Sequence, residues 1–97
     1  MSYSFLIKRI PLPAGQMTPI NAPWACNYFS LKSASGNPLT VATDPEDETQ
    51  RDTLPANGQE VVVVARIGGW RWQNGDAVIY AQPAGQADEV AIVKFLA

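Results

Sequence analysis

The sequence predicts an all-β protein: a single small antiparallel β-sandwich, jelly-roll-like in topology, with about seven to eight strands. Short runs of β-branched and aromatic residues recur along the 97-residue chain. Clusters of Gly, Pro, Asn and Ser separate these runs at intervals of roughly 8–12 residues, the spacing typical of all-β sandwiches. No run keeps a helical period for more than one turn. Because a chain of this length forms one domain, residues 1–97 are predicted to be a single sandwich.

The N-terminal segment is predicted to be a strand, because aromatic and β-branched side chains dominate "YSFLIKRI" (residues 3–10). Pro11 and Pro13 end this strand, since proline cannot donate to a β-ladder. Residues 1–10 are therefore either the first strand of the sandwich or an arm that adds to the sheet edge of a neighbouring subunit. A short second strand in "QMTPIN" is confined to a sheet edge by Pro19.

The next two runs alternate between apolar and polar side chains: residues 27–33 ("NYFSLKS") and 39–43 ("LTVAT"). Alternation indicates a strand with one buried and one solvated face, as in antiparallel sheets. The segment "ASGNP" between them is predicted to be a turn. The side chains predicted to face the core are Phe29, Leu31, Leu39 and Val41.

The longest polar stretch, residues 44–58 ("DPEDETQRDTLPANG"), is predicted to be an exposed acidic loop. It has almost no apolar side chains and no helical period. Its carboxylates could crowd around a calcium ion, but their spacing lacks the glycine and the terminal glutamate of an EF-hand loop. The prediction is therefore a solvated loop without a metal.

Further strands are predicted in the C-terminal half of the chain. Four consecutive valines in "QEVVVVARI" (residues 59–67) favour a strand that is central in its sheet, or covered by an arm or a neighbouring subunit. The pair Asn74-Gly75 lies between "GGWRWQ" and "DAVIYAQ" and predicts a two-residue hairpin turn. The run "EVAIVKFLA" (residues 89–97) predicts the last strand.

Trp70 and Trp72 are two positions apart on a predicted strand and therefore point to the same face. In the predicted hairpin, Trp72 pairs with Ala77 and Trp70 pairs with Ile79. One interpretation is that both indoles cap the hydrophobic core. A second is that at least one indole is exposed and anchors a partner subunit. A third is stacking on a sugar ring, with neighbouring Asn, Asp and Gln side chains as hydrogen-bonding groups.

The residue inventory predicts a protein that is not an enzyme and that uses no cofactor or metal. The chain contains no histidine and a single cysteine, so a nucleophile with an adjacent imidazole base cannot be assembled. It also lacks a serine elbow motif and a phosphate-cradling glycine pattern. Cys26 is predicted to pack as a small buried hydrophobe.

The charge and hydropathy patterns argue against two kinds of partner. The formal net charge is −2 and the seven cationic residues are scattered, so nucleic-acid binding through phosphate contacts is not expected. No apolar run approaches the ~20 residues of a membrane span. Only 16% of the residues are charged, so the chain either leaves apolar surface for a protein partner or is simply a compact β domain with few charges.

The order of several motifs resembles that of small β-sandwich virion proteins of tailed bacteriophages. The motifs are "RIPLPAGQMTPI", "NYFSLKSASGNPLTVAT", "NGQEV" and "IGGWRWQNGDAVIYAQPAG", and together they cover most of the chain. The resemblance implies a structural protein of the virion, foremost a capsid decoration (cement) protein that bridges and stabilises capsid subunits. It implies synthesis in the host cytoplasm, the major capsid protein as partner, and a homo-oligomer with a trimer favoured.

Two alternative functions are a structural protein associated with the tail or its fibres, and a small carbohydrate-binding module that uses exposed tryptophans. For a protein partner, an exposed tryptophan is expected to anchor the contact, as tryptophan often does at interfaces. The candidate interface residues are Tyr3, Phe5, Trp24, Trp70, Arg71, Trp72 and Tyr80.

Overall fold

A computed structural model describes residues 5–54, the main chain of 61–64, and residues 71–96. Tyr3 and Trp70 lie outside the described residues. The part of the chain that the structure describes contains eight β-strands, one short 3-10 helix and no α-helix, so the predicted fold class is confirmed. The strands are β1 (Phe5–Leu12), β2 (Thr18–Asn21), β3 (Tyr28–Ser33), β4 (Leu39–Ala42), β5 (Arg51–Leu54), β6 (Val61–Val64), β7 (Ala77–Pro83) and β8 (Glu89–Leu96).

The strands form two antiparallel four-stranded sheets, sheet A in the order β1-β8-β3-β6 and sheet B in the order β2-β7-β4-β5. The first four strands pair with the last four in reverse order: β1 with β8, β2 with β7, β3 with β6, and β4 with β5. Two further pairs, β3 with β8 and β4 with β7, roll this long double ribbon into two layers. This connectivity is that of an eight-stranded jelly roll, as predicted.

The hydrophobic core lies between the two sheets and is built by side chains at alternate positions of the strands. In β8, for example, Ala91, Val93 and Phe95 are buried while the residues between them are partly exposed. All four side chains predicted to face the core are buried. The main buried apolar residues are Leu12, Ile20, Cys26, Phe29, Leu31, Leu39, Val41, Ala81, Val93 and Phe95.

Three of the sequence predictions concern strands that lie at the edges of the two sheets, namely β1, β2 and β6. Residues 5–12 are hydrogen-bonded to β8, so this part of the N-terminal segment is the first strand of its own sandwich and not a free arm. β2, with Pro19, lies at an edge of sheet B, as predicted. β6 lies at the edge of sheet A in the described structure, so the interpretation as a central strand is wrong. The alternative, a strand covered by an arm or a neighbouring subunit, stays a prediction. Branching at Cβ favours a strand at any position in a sheet, which is why the valines did not indicate the location.

The predicted acidic loop over residues 44–58 is partly a strand. Residues 44–50 form an exposed connection with a 3-10 helix at Glu48–Gln50, but Arg51–Leu54 forms β5 and pairs with β4. Three of the four residues of β5 are exposed, because it is an edge strand, and only Leu54 is buried. An exposed edge strand needs no apolar alternation, so the sequence pattern did not reveal it. Residues 55–58 lie outside the described residues.

The turn at Asn74-Gly75 forms, but the predicted hairpin does not. The amide of Asp76 donates to the carbonyl of Gln73 at 3.0 Å, and Gly75 has φ +90°. Trp72 pairs with Cys26 instead of Ala77, and β7 pairs with β2 and β4. The turn therefore redirects the chain at a corner of the sandwich, because pairing with β2 and β4 takes the place of the local hairpin.

Candidate protein-interaction surface

The solvent side of sheet A, called the outer face here, is formed by residues that alternate with the buried ones in β1, β8 and β3. The strand register aligns them in three cross-strand rows, since directly opposed residues share a face. The rows contain Phe5, Leu96 and Tyr28; then Ile7, Lys94 and Ser30; then Arg9, Ile92 and Lys32.

Two residues on this face expose large apolar side chains. Phe5 is 57% and Ile7 is 54% accessible, and they are the exposed large hydrophobic residues among those the structure describes. Both lie in β1, which has a single neighbour, β8, among the strands that the structure describes. By contrast, Leu12 at the other end of β1 points into the sandwich and is inaccessible to solvent. The exposure of Phe5 and Ile7 thus follows from strand alternation at a sheet edge.

The charged side chains of the outer face all carry the same sign. Arg9, Lys32 and Lys94 lie on it, and the described strands place no carboxylate among them. Arg9 and Lys32 flank Ile92 in the same row, so the cations are interleaved with apolar residues. A surface of this composition fits a partner that presents apolar side chains together with carboxylates.

The five candidate interface residues that the structure describes do not form one surface. Phe5 lies on the outer face of sheet A, whereas Tyr80 in β7 lies opposite Pro19 and Ala42 on the solvent side of sheet B. Arg71 is exposed beside the corner that contains Trp72. Ile7 was not among the predicted interface residues. The sequence could have indicated it, because residues two positions apart in a strand, such as Phe5 and Ile7, lie on the same face.

Trp24 and Trp72 pack against the core. The ring of Trp24 meets Phe95 at a centroid distance of 6.5 Å, and the ring of Trp72 meets Phe29 at 5.2 Å. Both pairs are edge-to-face with interplanar angles of 72°, the arrangement that the ring quadrupoles favour. Both indoles are partly buried. The core-capping interpretation therefore applies to Trp72, although its cross-strand partner is not the predicted one.

A surface groove of about 450 Å³ lies where the β1–β2, β3–β4 and β7–β8 connections meet. Its carboxylates are engaged by the protein itself. Asp88 Oδ1 accepts a hydrogen bond from the amide of Ala14 at 2.9 Å. Glu89 accepts from Ser35 Oγ at 2.5 Å and from Asn37 Nδ2 at 2.9 Å, and these bonds lower the pKa of Glu89. The two carboxylates thus hold three connections together.

The remaining side chains with potential chemistry are also accounted for by packing. Cys26 is buried as predicted, and desolvation raises the pKa of its thiol, which keeps it protonated near neutral pH. Among the described residues, no three His, Cys, Asp or Glu side chains are grouped so that they could hold a metal ion. The described helical segment is too short to cross a membrane.

No protein-family model, curated protein or solved structure matches this chain.

Proposed function

We propose that this protein is a structural component of a bacteriophage particle, a capsid decoration protein that binds the major capsid protein through the outer face of sheet A. The observation that carries the proposal is the exposure of Phe5 and Ile7 on an edge strand beside Arg9, Lys32 and Lys94. The jelly-roll topology supports it as well, because this architecture is used by capsid domains, although it also occurs in lectins and cupins.

The apolar part of this surface contributes a limited amount of binding free energy per copy. Complete burial of such a side chain contributes about 1.5–3 kcal/mol, so covering the exposed halves of Phe5 and Ile7 contributes roughly 2–3 kcal/mol together. Association itself costs about 4–15 kcal/mol. A single copy therefore needs additional contacts or several linked copies, because linkage raises the effective concentration of the second binding event. A homo-oligomer, for which we favour a trimer, would meet this requirement.

Cosedimentation with phage heads that lack the protein tests the proposal. The wild-type chain and F5S/I7S would be compared, with T40A as the matched control. Thr40 is partly exposed in β4, on the solvent side of sheet B, away from Phe5 and Ile7. We expect the wild type and T40A to bind equally, and F5S/I7S to bind at least about tenfold more weakly, which corresponds to the loss of 1.4 kcal/mol or more.

Undiminished binding by F5S/I7S would refute the assignment of the surface. Failure of the wild type to bind heads would refute the decoration role, and binding to isolated tails in the same experiment would place the protein in the tail instead. Particle stability gives a second measurement: added wild-type protein should raise the temperature at which heads release their DNA, and F5S/I7S should not.

A further inference from the structure

The two flanks of the sandwich carry opposite charge. β1 and β2 are edge strands of the two sheets, and β1 also contacts β7, the neighbour of β2. β1 and β2 therefore lie at the same flank. β5, at the other end of sheet B, lies at the opposite flank. Lys8 and Arg9 stand in the middle of β1, whereas the acidic connection leads into β5.

The cations of β1 have no partner within the described structure. Lys8 and Arg9 are both exposed, and neither side chain makes a hydrogen bond or an ion pair with another described residue. β2, beside them at this flank, contains no charged residue. This flank, called the basic flank here, thus presents two adjacent cations on a strand whose second edge is open in the described structure.

The opposite flank, called the acidic flank here, is formed by residues 44–54. Five carboxylates and one arginine give this segment a formal charge of −4. The segment is ordered by its own hydrogen bonds: Asp44 Oδ1 accepts from the amide of Glu46 at 3.0 Å, and Asp47 Oδ1 accepts from the amide of Thr49 at 2.9 Å. The side chains of Glu46 and Glu48 are exposed and make no hydrogen bond with a described residue. The acidic flank therefore exposes carboxylates on a segment that is ordered by its internal hydrogen bonds.

Pairing of two basic flanks is disfavoured by charge. If β1 paired with β1 of a second copy about a two-fold axis near its centre, either Lys8 would face Lys8 of the partner or Arg9 would face Arg9 of the partner, because directly opposed residues share a face. Like charges directly opposed across strands are destabilising. The charge pattern instead fits a head-to-tail contact, which closes into a ring when the rotation between successive copies permits it.

We propose that copies of this chain associate head to tail, with the basic flank of one copy docked on the acidic flank of the next. A second copy thus occupies the open edge of β1. Lys8 and Arg9 of one copy lie against Glu46 and Glu48 of the next. This inference rests on the proposed function. Head-to-tail association would supply the linked copies that the weak contact through the outer face requires.

Sedimentation velocity of the purified full chain tests the proposal without any phage particle. Two charge-reversal variants, K8E/R9E and E46K/E48K, are compared with the wild type and with the combined quadruple variant. We expect wild-type copies to associate with one another. Added salt should weaken this association, because it screens exposed charges. Each double variant should associate at least about tenfold more weakly. The quadruple variant should regain association, because both flanks have exchanged sign.

R71E is the matched control, since Arg71 is an exposed cation that belongs neither to β1, nor to residues 44–54, nor to the outer face of sheet A. It should associate like the wild type. Far-UV circular dichroism and thermal melting should show that every variant is folded; the reversed residues are exposed, so native melting temperatures are expected. Slower amide exchange across residues 5–12 at higher protein concentration would support the use of β1.

A monomeric wild type, a quadruple variant that stays monomeric, or an equal loss of association in R71E would each overturn the proposal. Its failure can be separated from failure of the proposed function. Loss of head binding in F5S/I7S with a monomeric wild type would reject the head-to-tail contact alone. Charge-dependent self-association without head binding would reject the decoration role alone.

Discussion

Cys26 and Trp72 exchange two main-chain hydrogen bonds, each of 2.9 Å, although they belong to distant parts of the chain. Next to this bridge, Ala22 donates to the carbonyl of Asp76 and accepts from the amide of Gly75, both at 2.8 Å. The pairing of β2 with β7 thus continues beyond sheet B as far as Cys26 and Trp72. Cys26 lies just before β3, which belongs to sheet A. The two segments cross together from one layer to the other, and Trp72 is placed over Phe29 at the end of the core.

Trp72→Ala should destabilise the fold by about 2 kcal/mol. Complete truncation of a buried tryptophan costs about 3–5 kcal/mol, and Trp72 is partly buried. Trp72→Phe keeps an aromatic ring against Phe29 and should cost less than half as much. Urea unfolding followed by far-UV circular dichroism measures both. A change below about 0.5 kcal/mol for the alanine variant would show that the indole does not support the core.

Gly75→Ala should destabilise the protein, and Gly85→Ala should not. Gly75 has φ +90°, a conformation that costs an L-residue about 1–2 kcal/mol. A Cβ at Gly85 would meet no atom within 4 Å, and Gly85 lacks a left-handed φ. Its replacement should therefore be neutral or stabilise by up to about 1 kcal/mol, through the entropy of the unfolded chain. Equal unfolding midpoints for the two variants in urea would contradict the role of the turn.

Leu12→Ala and Ile7→Ala should differ strongly although both residues lie in β1. Leu12 is inaccessible to solvent and its truncation should cost about 2–5 kcal/mol, whereas Ile7 is 54% accessible and its truncation should cost below about 0.5 kcal/mol. The free energy of unfolding, extrapolated from urea denaturation, measures the difference. Similar losses at both positions would mean that Ile7 contributes to the core or that β1 is placed differently.

Glu89 should make stability depend on pH in the acidic range. Hydrogen bonds from Ser35 and Asn37 lower the pKa of Glu89 from its ordinary value of 4.5 in the folded state. The ionised form is therefore favoured by folding, and the resulting stabilisation is complete above the unfolded pKa. It is lost as the pH falls below 4.5 and through the lowered folded pKa.

Unfolding of the wild type and of Glu89→Gln, measured across this pH range, isolates the contribution of Glu89 from that of other carboxylates. The stability difference between them should shrink as the pH falls. S35A/N37A should flatten the same dependence, since it removes the two donors. A difference that is constant with pH would show that these hydrogen bonds do not favour the carboxylate.

Strand alternation made much of the architecture predictable from the sequence. Phe29 and Leu31 were expected to face the core because they are two residues apart in an alternating run, and both are buried. Pro19 indicated an edge strand because it cannot donate to a ladder, and β2 is an edge strand. These rules concern residues within one strand, so they operate without knowledge of the strand's neighbours.

The pairing partners were less predictable, because they depend on distant segments. Asn74-Gly75 forms the expected turn, but Cys26 takes the place of Ala77 opposite Trp72. The edge strand β5 was hidden in the acidic stretch because exposed side chains leave no apolar period. The candidate interface was likewise incomplete: Phe5 was identified from its residue type, while the aliphatic neighbour Ile7 was not.

The position of β8 between β1 and β3 has a consequence for biosynthesis. While the chain emerges from the ribosome, residues 5–12 wait for β8, their one strand partner in the described part of the chain, until residues 89–96 are translated. Sheet A is therefore completed by pairing between residues far apart in sequence, and such pairing is slow. In that interval Phe29 and Leu31 lack their neighbours in β8, Phe95 and Val93, and such transiently exposed apolar side chains favour aggregation of the incomplete chain.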